Sequence, residues 1–294
     1  MSGLIRFAPS PTGYLHEGHL LSALYVWAAA AKWGLKVHLR IEDHDQSRAR
    51  PAYIEGIRED LAWLGFRYDS ESIQSKRSAI YEAALQKLEA KSLVYPCYCS
   101  RKQLQDENPK SETGEIIYQG KCFFRRQPYK ASDESAPHNL RFIVSDKVIH
   151  WHDLRLGDFH ENPKLQCGDF PIRDREGQWT YQFAVCVDDI DENITHIVRG
   201  EDIRSSTARQ IALMEALGRT ERPVYLHHPL IVDENNKKLS KRELAHSIRQ
   251  DKEAGITPEM LLGRVCHKAH LAVSDAPISL QEAIALVAHT LPSP

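Results

Sequence analysis

Residues 4–43 read LIRFAPSPTGYLHEGHLLSALYVWAAAAKWGLKVHLRIED, and the order of elements in this stretch decides the fold. LIRFAPS is a short buried strand ending at a proline–glycine turn. Leu20 to Trp33 forms an apolar helix that stops at Gly34, where glycine tolerates the left-handed conformation of a helix end. KVHLRIED alternates as a strand should, with Val37, Leu39 and Ile41 on one face. Pro51 opens the next helix, PAYIEGIREDLAWLG, which stops at Gly65, and another covers about Ser78 to Ser92. Strand, helix, strand, helix is the pattern of a parallel sheet with crossover helices.

Past this opening the pattern changes. From about Tyr95 to Ala136 come cysteines, the polar run QDENPKSETGE and basic residues, with little periodicity. Short strands follow in NLRFIV and KVIHWHD, and alternating strand and helix returns with DFPIRDREG, WTYQFAVCVDDI, THIVRGED and RSSTARQIALMEALG. The reading is one α/β domain split by an insertion. Its first half covers residues 1–95, the insertion 96–165, the second half 166–243, and a short helical region 244–294.

Composition sets the outer bounds. The 294 residues are 42% hydrophobic and 27% charged with a net charge of -2, values of an ordinary globular protein able to bury a sizeable core. Near-neutral charge requires any nucleic-acid partner to meet a local basic face. The first residues hold no long apolar segment, and LLSALYVWAAAA is too short to span a bilayer, so a cytoplasmic location without membrane attachment is expected. Six unevenly spaced cysteines do not form a disulfide framework, and Cys167, Cys186 and Cys266 read as buried reduced thiols.

Chemistry first shows at His16, Gly18 and His19. Glycine at a strand-to-helix junction lets a ligand approach the backbone, and the helix N-terminus offers free N–H groups to phosphate. Histidines there donate hydrogen bonds to phosphate oxygens and add positive charge where the site raises their pKa. Far along the chain, Lys237, Lys238, Lys241 and Arg242 surround Ser240 in DENNKKLSKRE. Each element alone fits a bland role, a helix cap or a solvated basic loop. Together, HEGH and KLSKR resemble the two signatures of class I aminoacyl-tRNA synthetases, His-Ile-Gly-His and Lys-Met-Ser-Lys-Ser. The resemblance implies a Rossmann-like nucleotide-binding fold in which His16, His19 and Lys241 carry the catalysis. It assigns ATP to His16, Gly18, His19, Lys238, Ser240 and Lys241, with Mg2+ arriving on the nucleotide. Positioning and electrostatics then do the chemistry without a side-chain nucleophile.

RFAPSPTGYLHEGH followed by LRIED resembles the glutamyl branch of that class. By this resemblance Arg6 and Ser10 help hold glutamate, Glu42 takes its amino group, and Tyr181 and Arg199 complete the pocket. Arginine suits carboxylates and an acidic residue suits an ammonium. Asp43, Asp188, Asp189, Glu201 and Asp202 read as structural or ribose-adjacent rather than as metal ligands.

Cys97, Cys99 and Cys122 are close enough in sequence for Zn2+, which takes a fourth ligand, with three free thiols as the open alternative. The glutamyl synthetases often carry zinc in this insertion, and a short relative has Cys-x-Cys…Tyr-x3-Cys. The resemblance thereby implies Tyr118 as the fourth ligand, with His138 as a substitute, and a structural site holding one zinc ion.

A standard glutamyl-tRNA synthetase continues into a long helical anticodon-binding region, whereas some 40 residues follow Gly255 here. The shorter form resembles the glutamyl-queuosine tRNA(Asp) synthetase family. That resemblance implies a monomer that activates L-glutamate with ATP and transfers it to the queuosine base in the anticodon of tRNA(Asp). The alternatives are a shortened glutamyl-tRNA synthetase charging the 3′ end of tRNA(Glu), and a non-catalytic RNA-binding remnant.

Overall fold

The structure is a computed structural model, and it describes residues 3–111, 114–124, 137–231 and 246–293. β1 (Leu4–Phe7) leads into α1 (Glu17–Trp33), β2 (Lys36–Ile41), α2 (Pro51–Trp63), β3 (Ser70–Ile73) and α3 (Ser78–Ala90). β4 (Val94–Cys97), α4 (Arg101–Glu107), α5 (Lys121–Phe124) and β5 (Asn139–Phe142) follow. Next come the hairpin β6 (Ile149–Asp153) and β7 (Gly157–Glu161), then α6 (Pro163–Gln166) and β8 (Phe170–Arg173). α7 (Tyr181–Asp191), β9 (His196–Gly200), α8 (Thr207–Ala216) and β10 (Val224–His228) return to the alternating pattern. α9 (Ile248–Glu253), α10 (Pro258–Lys268) and α11 (Leu280–Thr290) follow them.

The large sheet has the order β3-β2-β1-β9-β10-β6-β7 and is parallel except for the β6–β7 hairpin at its edge. β4, β5 and β8 make a separate antiparallel sheet. Sequence order and sheet membership therefore diverge. β6 and β7 lie between residues 96 and 165 yet extend the large sheet through β10, while β8 lies beyond 165 and belongs to the small one.

Strand order reverses between β1 and β9, because α1 carries the chain one way to β2 while α8 carries it the other way to β10. In open parallel sheets such a switch point leaves a crevice at the carboxyl ends of the strands. The crevice here opens where β1 runs into Ala8–Pro11 and β9 into Glu201.

Both faces of the large sheet are covered. One core joins Ile5, Phe7, Leu39 and Ile41 to α1, α2, α10 and α11, and the other joins Ile197 and Tyr225 to α3, α7 and α8. Two-sided burial explains why α1 is apolar nearly all round, from Leu20 to Ala30, and why alanine fills much of it. α1 begins at Glu17 rather than Leu20, because His16 caps it and the H-x-G-H turn is itself its first turn.

The C-terminal helices press closely on this core. A Cβ on Gly263, inside α10, would stand 2.1 Å from the backbone oxygen of Ala276. Main chain cannot yield as a flexible side chain does, so Gly263→Ala should destabilise the protein by roughly 1–3 kcal/mol despite alanine's better helix propensity. The check is the urea midpoint. An unchanged or raised midpoint would show that the 275–276 segment is free to move aside.

Candidate active site

At the start of α1, Gly18 N–H donates to Nδ1 of His16 (3.1 Å), and His16 N–H donates to Nδ1 of His19 (3.2 Å). Two imidazoles thus perform the reciprocal capping usually done by serine and glutamate. Since both Nδ1 atoms accept, the neutral rings carry their protons on Nε2. Burial lowers both pKa values, that of His19 to about 3, with Glu17 pulling His16 back only in part. The sequence reading allowed these histidines a positive charge. The site instead makes them neutral donors at the positive end of a helix.

A cavity of about 130 Å³ lies in the switch-point crevice, and its wall includes Arg6, His19, Glu42, Tyr181 and Arg199. Five residues chosen from four distant parts of the sequence meet in one small space. Ser10 lies on the same loop, half-buried and outside the wall, with its carbonyl accepting Thr12 N–H at 2.9 Å. Lys238, Ser240 and Lys241 lie outside the described residues. A larger hollow of about 540 Å³, bordered by His150, Phe159 and Val224 at the β6–β7–β10 edge, contains none of the expected site residues.

The cavity has two electrostatic poles. Arg199 is buried, and its guanidinium donates to His227 Nε2 (3.0 Å), Gln210 Oε1 (2.7 Å) and Thr207 Oγ1 (2.8 Å). None of these partners is anionic, so the cation is held in place without being neutralised by them. At the other pole Glu42 is buried with Oε1 making no hydrogen bond, and Arg40 Nη1, likewise without one, stands 3.8 Å away. Burial pushes the Glu42 carboxyl up to about 7, against the pull of Arg40 and Arg6. An orphaned buried carboxylate is costly unless a ligand supplies a donor.

Beneath the cavity runs a charge network that sequence reasoning missed. Arg40 is fully buried and donates to Asp189 Oδ1 (2.7 Å) and Glu192 Oε2 (2.9 Å from Nε), while Arg6 Nε reaches the same Asp189 oxygen at 3.0 Å. Burial works against the Asp189 carboxylate, but Arg6 and Arg40 hold it below its usual range. Asp188 takes Arg77 (2.7 Å), Gln74 (2.8 Å) and Tyr81, and Asp43 caps Ser75 N–H (2.7 Å). Asp43, Asp188 and Asp189 are thus each held by hydrogen bonds within the protein. Arg6, Arg40 and Glu42 share one face of neighbouring strands, which a pattern reading would assign to water.

His227 is a second omission. It is fully buried, and its Nδ1 lies 2.6 Å from Asp153 Oδ2, so Nδ1–H donates and Nε2 is left to accept from Arg199. The only sequence signal was a histidine in YLHH, and Asp153 sits 74 residues earlier in the hairpin.

In the small sheet, the Sγ atoms of Cys97, Cys99 and Cys122 all lie within 4.8 Å of one another. Tyr118 Oη accepts Cys122 N–H (2.8 Å) and stands 3.5 and 3.7 Å from the sulfurs of Cys97 and Cys99. A tetrahedral zinc with 2.3 Å bonds to sulfur spaces its ligands by roughly 3.8 Å, so the three-cysteine cluster is compatible with such an ion, and Tyr118 Oη lies beside two of its sulfurs. His138 packs on Tyr98 instead, with ring centroids 5.3 Å apart. Gly168, at φ +66°, lets the main chain of Tyr118 pass, since a Cβ there would meet the Tyr118 carbonyl oxygen at 2.1 Å. Cys167, Cys186 and Cys266 are buried free thiols.

The Asp153–His227–Arg199 chain makes stability depend on pH. Burial, with Arg199 adding to it, lowers His227 from 6.5 to about 4. A depressed folded-state value means that stability is full above about pH 6.5 and is lost as pH falls toward 4, where the unfolded chain binds the proton first. His227→Gln should be less stable than the parent at pH 7, yet lose about 2 kcal/mol less between pH 7 and 5. Glu42, raised rather than lowered, contributes with the opposite sign in both proteins and cancels in the comparison. Urea midpoints at the two pH values decide it, and parallel losses would show that His227 does not titrate in this range.

The model for tRNA synthetases class I (E and Q), catalytic domain, matches residues 4–281. A glutamyl-Q tRNA(Asp) synthetase of Neisseria gonorrhoeae is 37% identical over 273 residues, 92% of this chain and 89% of that protein. A glutamate–tRNA ligase of Trichodesmium erythraeum is 38% identical over 278 residues, 90% of this chain but 31% of the ligase, so the chain spans about a third of that relative. Among solved structures, a glutamate–tRNA synthetase of Elizabethkingia anophelis superposes with a TM-score of 0.79 at 28% identity, covering 97% of this chain and 65% of that one. No described helix is long and apolar enough to cross a membrane. Capped histidines at a switch point, a two-pole cavity and a family match over residues 4–281 agree: the chain belongs to the class I tRNA synthetases of the E and Q type, through their catalytic domain.

Proposed function

We propose that the protein activates L-glutamate with ATP and transfers the glutamyl group to the queuosine base in the anticodon of tRNA(Asp). The observation that carries this reading is the likeness to the Neisseria glutamyl-Q tRNA(Asp) synthetase across 89% of that relative. The cavity supports the amino-acid part. Glu42 Oε1 lacks a donor, which an ammonium would supply, and Arg199 and Arg6 offer guanidinium to carboxylate.

In the activation step a carboxylate oxygen of glutamate attacks the α-phosphorus of ATP, and pyrophosphate leaves. His16 and His19 offer Nε2–H at the positive end of α1, and Gly18, without a side chain, lets the phosphate approach the backbone, so developing phosphate charge meets fixed dipoles. Lys238, Ser240 and Lys241 of KLSKR join them by family resemblance, and Mg2+ is carried by the nucleotide. In the second step a hydroxyl of the queuosine cyclopentenediol attacks the activated carbonyl, an ester forms and AMP departs.

The cysteine cluster holds one structural zinc in this proposal, with Cys97, Cys99, Cys122 and Tyr118 as ligands. The ion would supply no chemistry to the transfer and would fix the loop between β4 and α5. Metal analysis of purified protein should find about one zinc per chain, and Cys99→Ser should lose it. Zinc-free parent protein, folded and active, would overturn the assignment.

The deciding experiment incubates the protein with radiolabelled glutamate, ATP and tRNA(Asp) with and without queuosine. Label only on the modified RNA is the expected result. Label at the 3′ end of tRNA(Glu) would replace this reading with a glutamyl-tRNA synthetase, and absence of ATP–pyrophosphate exchange at high protein concentration would remove both.

A further inference from the structure

The second position of the H-x-G-H turn holds Glu17, where the signature has isoleucine. A carboxylate set between two phosphate-contacting histidines opposes the polyphosphate it should help bind. The structure shows how this residue is managed. Glu17 is mostly buried and directed at α10, with Oε1 2.7 Å from Arg264 Nε in an ion pair and Oε2 accepting from Lys268 Nζ at 2.7 Å.

The pairing extends into α9. Arg264 Nη2 also donates to Asp251 Oδ2 (2.6 Å), and Asp251 Oδ1 stands 3.1 Å from His246 Nε2. His16 bridges Ser247 in antiparallel fashion, and Ile248 N–H donates to the Leu15 carbonyl at 2.8 Å. The phosphate turn thus rests directly on α9 and α10. The two carboxylates and two cations of this cluster cancel in formal charge, so the turn presents its imidazole N–H groups without a free negative charge among them.

We propose that Arg264 and Lys268 are positioning residues of the ATP site. They neutralise Glu17 and hold its carboxylate away from the cradle of His16, Gly18 and His19. This inference rests on the reading of that turn as the ATP site.

The test is a charge cycle read in ATP–pyrophosphate exchange with glutamate. Arg264→Ala should raise KM for ATP roughly five- to tenfold and leave KM for glutamate unchanged, with a larger effect at low salt. Glu17→Gln should bind ATP at least as well as the parent. The double variant Glu17→Gln/Arg264→Ala should return to within about twofold of it, because removing the carboxylate removes the need for its partner. Arg264 also holds Asp251, so Lys268→Ala, whose described partner is Glu17 alone, carries the same expectation at smaller size should Arg264→Ala fail to fold. A double variant as impaired as Arg264→Ala would make Arg264 scaffolding and overturn the proposal, as would an unchanged KM in both single variants. Calorimetry with ATP alone reads the same ordering without the reaction. A parent that binds ATP but does not exchange overturns the glutamate reading and leaves this ordering measurable, while a parent that does not bind ATP overturns both.

Discussion

The structure turns on two hydrogen bonds at the start of α1, from Gly18 N–H to His16 and from His16 N–H to His19. They end the loop from β1, start the central helix, and fix the tautomer of both rings in one arrangement. A serine–glutamate box would cap the helix as well and leave nothing for a ligand. Histidine differs because one ring nitrogen satisfies the backbone while the other, protonated, remains as a donor. Structural and chemical roles are thereby combined in the same side chain, and burial keeps the rings neutral so that they act as dipoles.

The second constraint is electrical. A parallel sheet covered on both faces has no wet side, yet β1, β2 and β9 contribute Arg6, Arg40, Glu42 and Arg199 to its interior. Removing such charges from water is tolerable only if they satisfy one another. Arg40 and Arg6 converge on Asp189, and Arg40 also takes Glu192, so the lower layer is satisfied except at Arg40 Nη1, which stands toward Glu42. Glu42 and Arg199 are left facing the cavity, one without a donor at Oε1 and the other with neutral partners. The unsatisfied remainder of a buried network therefore faces the cavity, and in the proposed function its two poles meet an amino acid that carries both charges.

How far the sequence made this legible follows the same logic. The strand–helix alternation and the glycine stops were readable because they depend on local pattern. The cavity residues were readable through short motifs whose chemistry is distinctive, such as RIED and VRGED. Arg40 escaped because alternation in KVHLRIED places His38, Arg40 and Glu42 on a nominally polar face, and only the tertiary cover of α7 and its neighbours makes that face interior. His227 escaped because its meaning lies in Asp153 and Arg199, which the chain brings from far away. Helix α1 began three residues before the apolar run for a local reason, the unusual histidine cap, which the apolar periodicity alone could not show.

The C-terminal helices enter this account as part of the site's construction. α1 is gripped at both ends by them. At its start Glu17 meets Arg264 and Lys268, and at its far end Lys32 donates to the carbonyls of Ala288 and Leu291 while Trp33 Nε1 donates to that of Pro292 (3.2 Å). Between these points Ala283 and Val287 share the core that α1 fills. A helix held at its two ends and along its length cannot tilt without breaking several contacts at once. Its N-terminal donors are thus fixed relative to β1 and β9 by packing that lies well outside the cavity. Placing the His16–His19 turn on a long, deeply buried helix makes the rigidity of the whole core available to that turn, and the charge of Glu17 ties the last helices into the same arrangement.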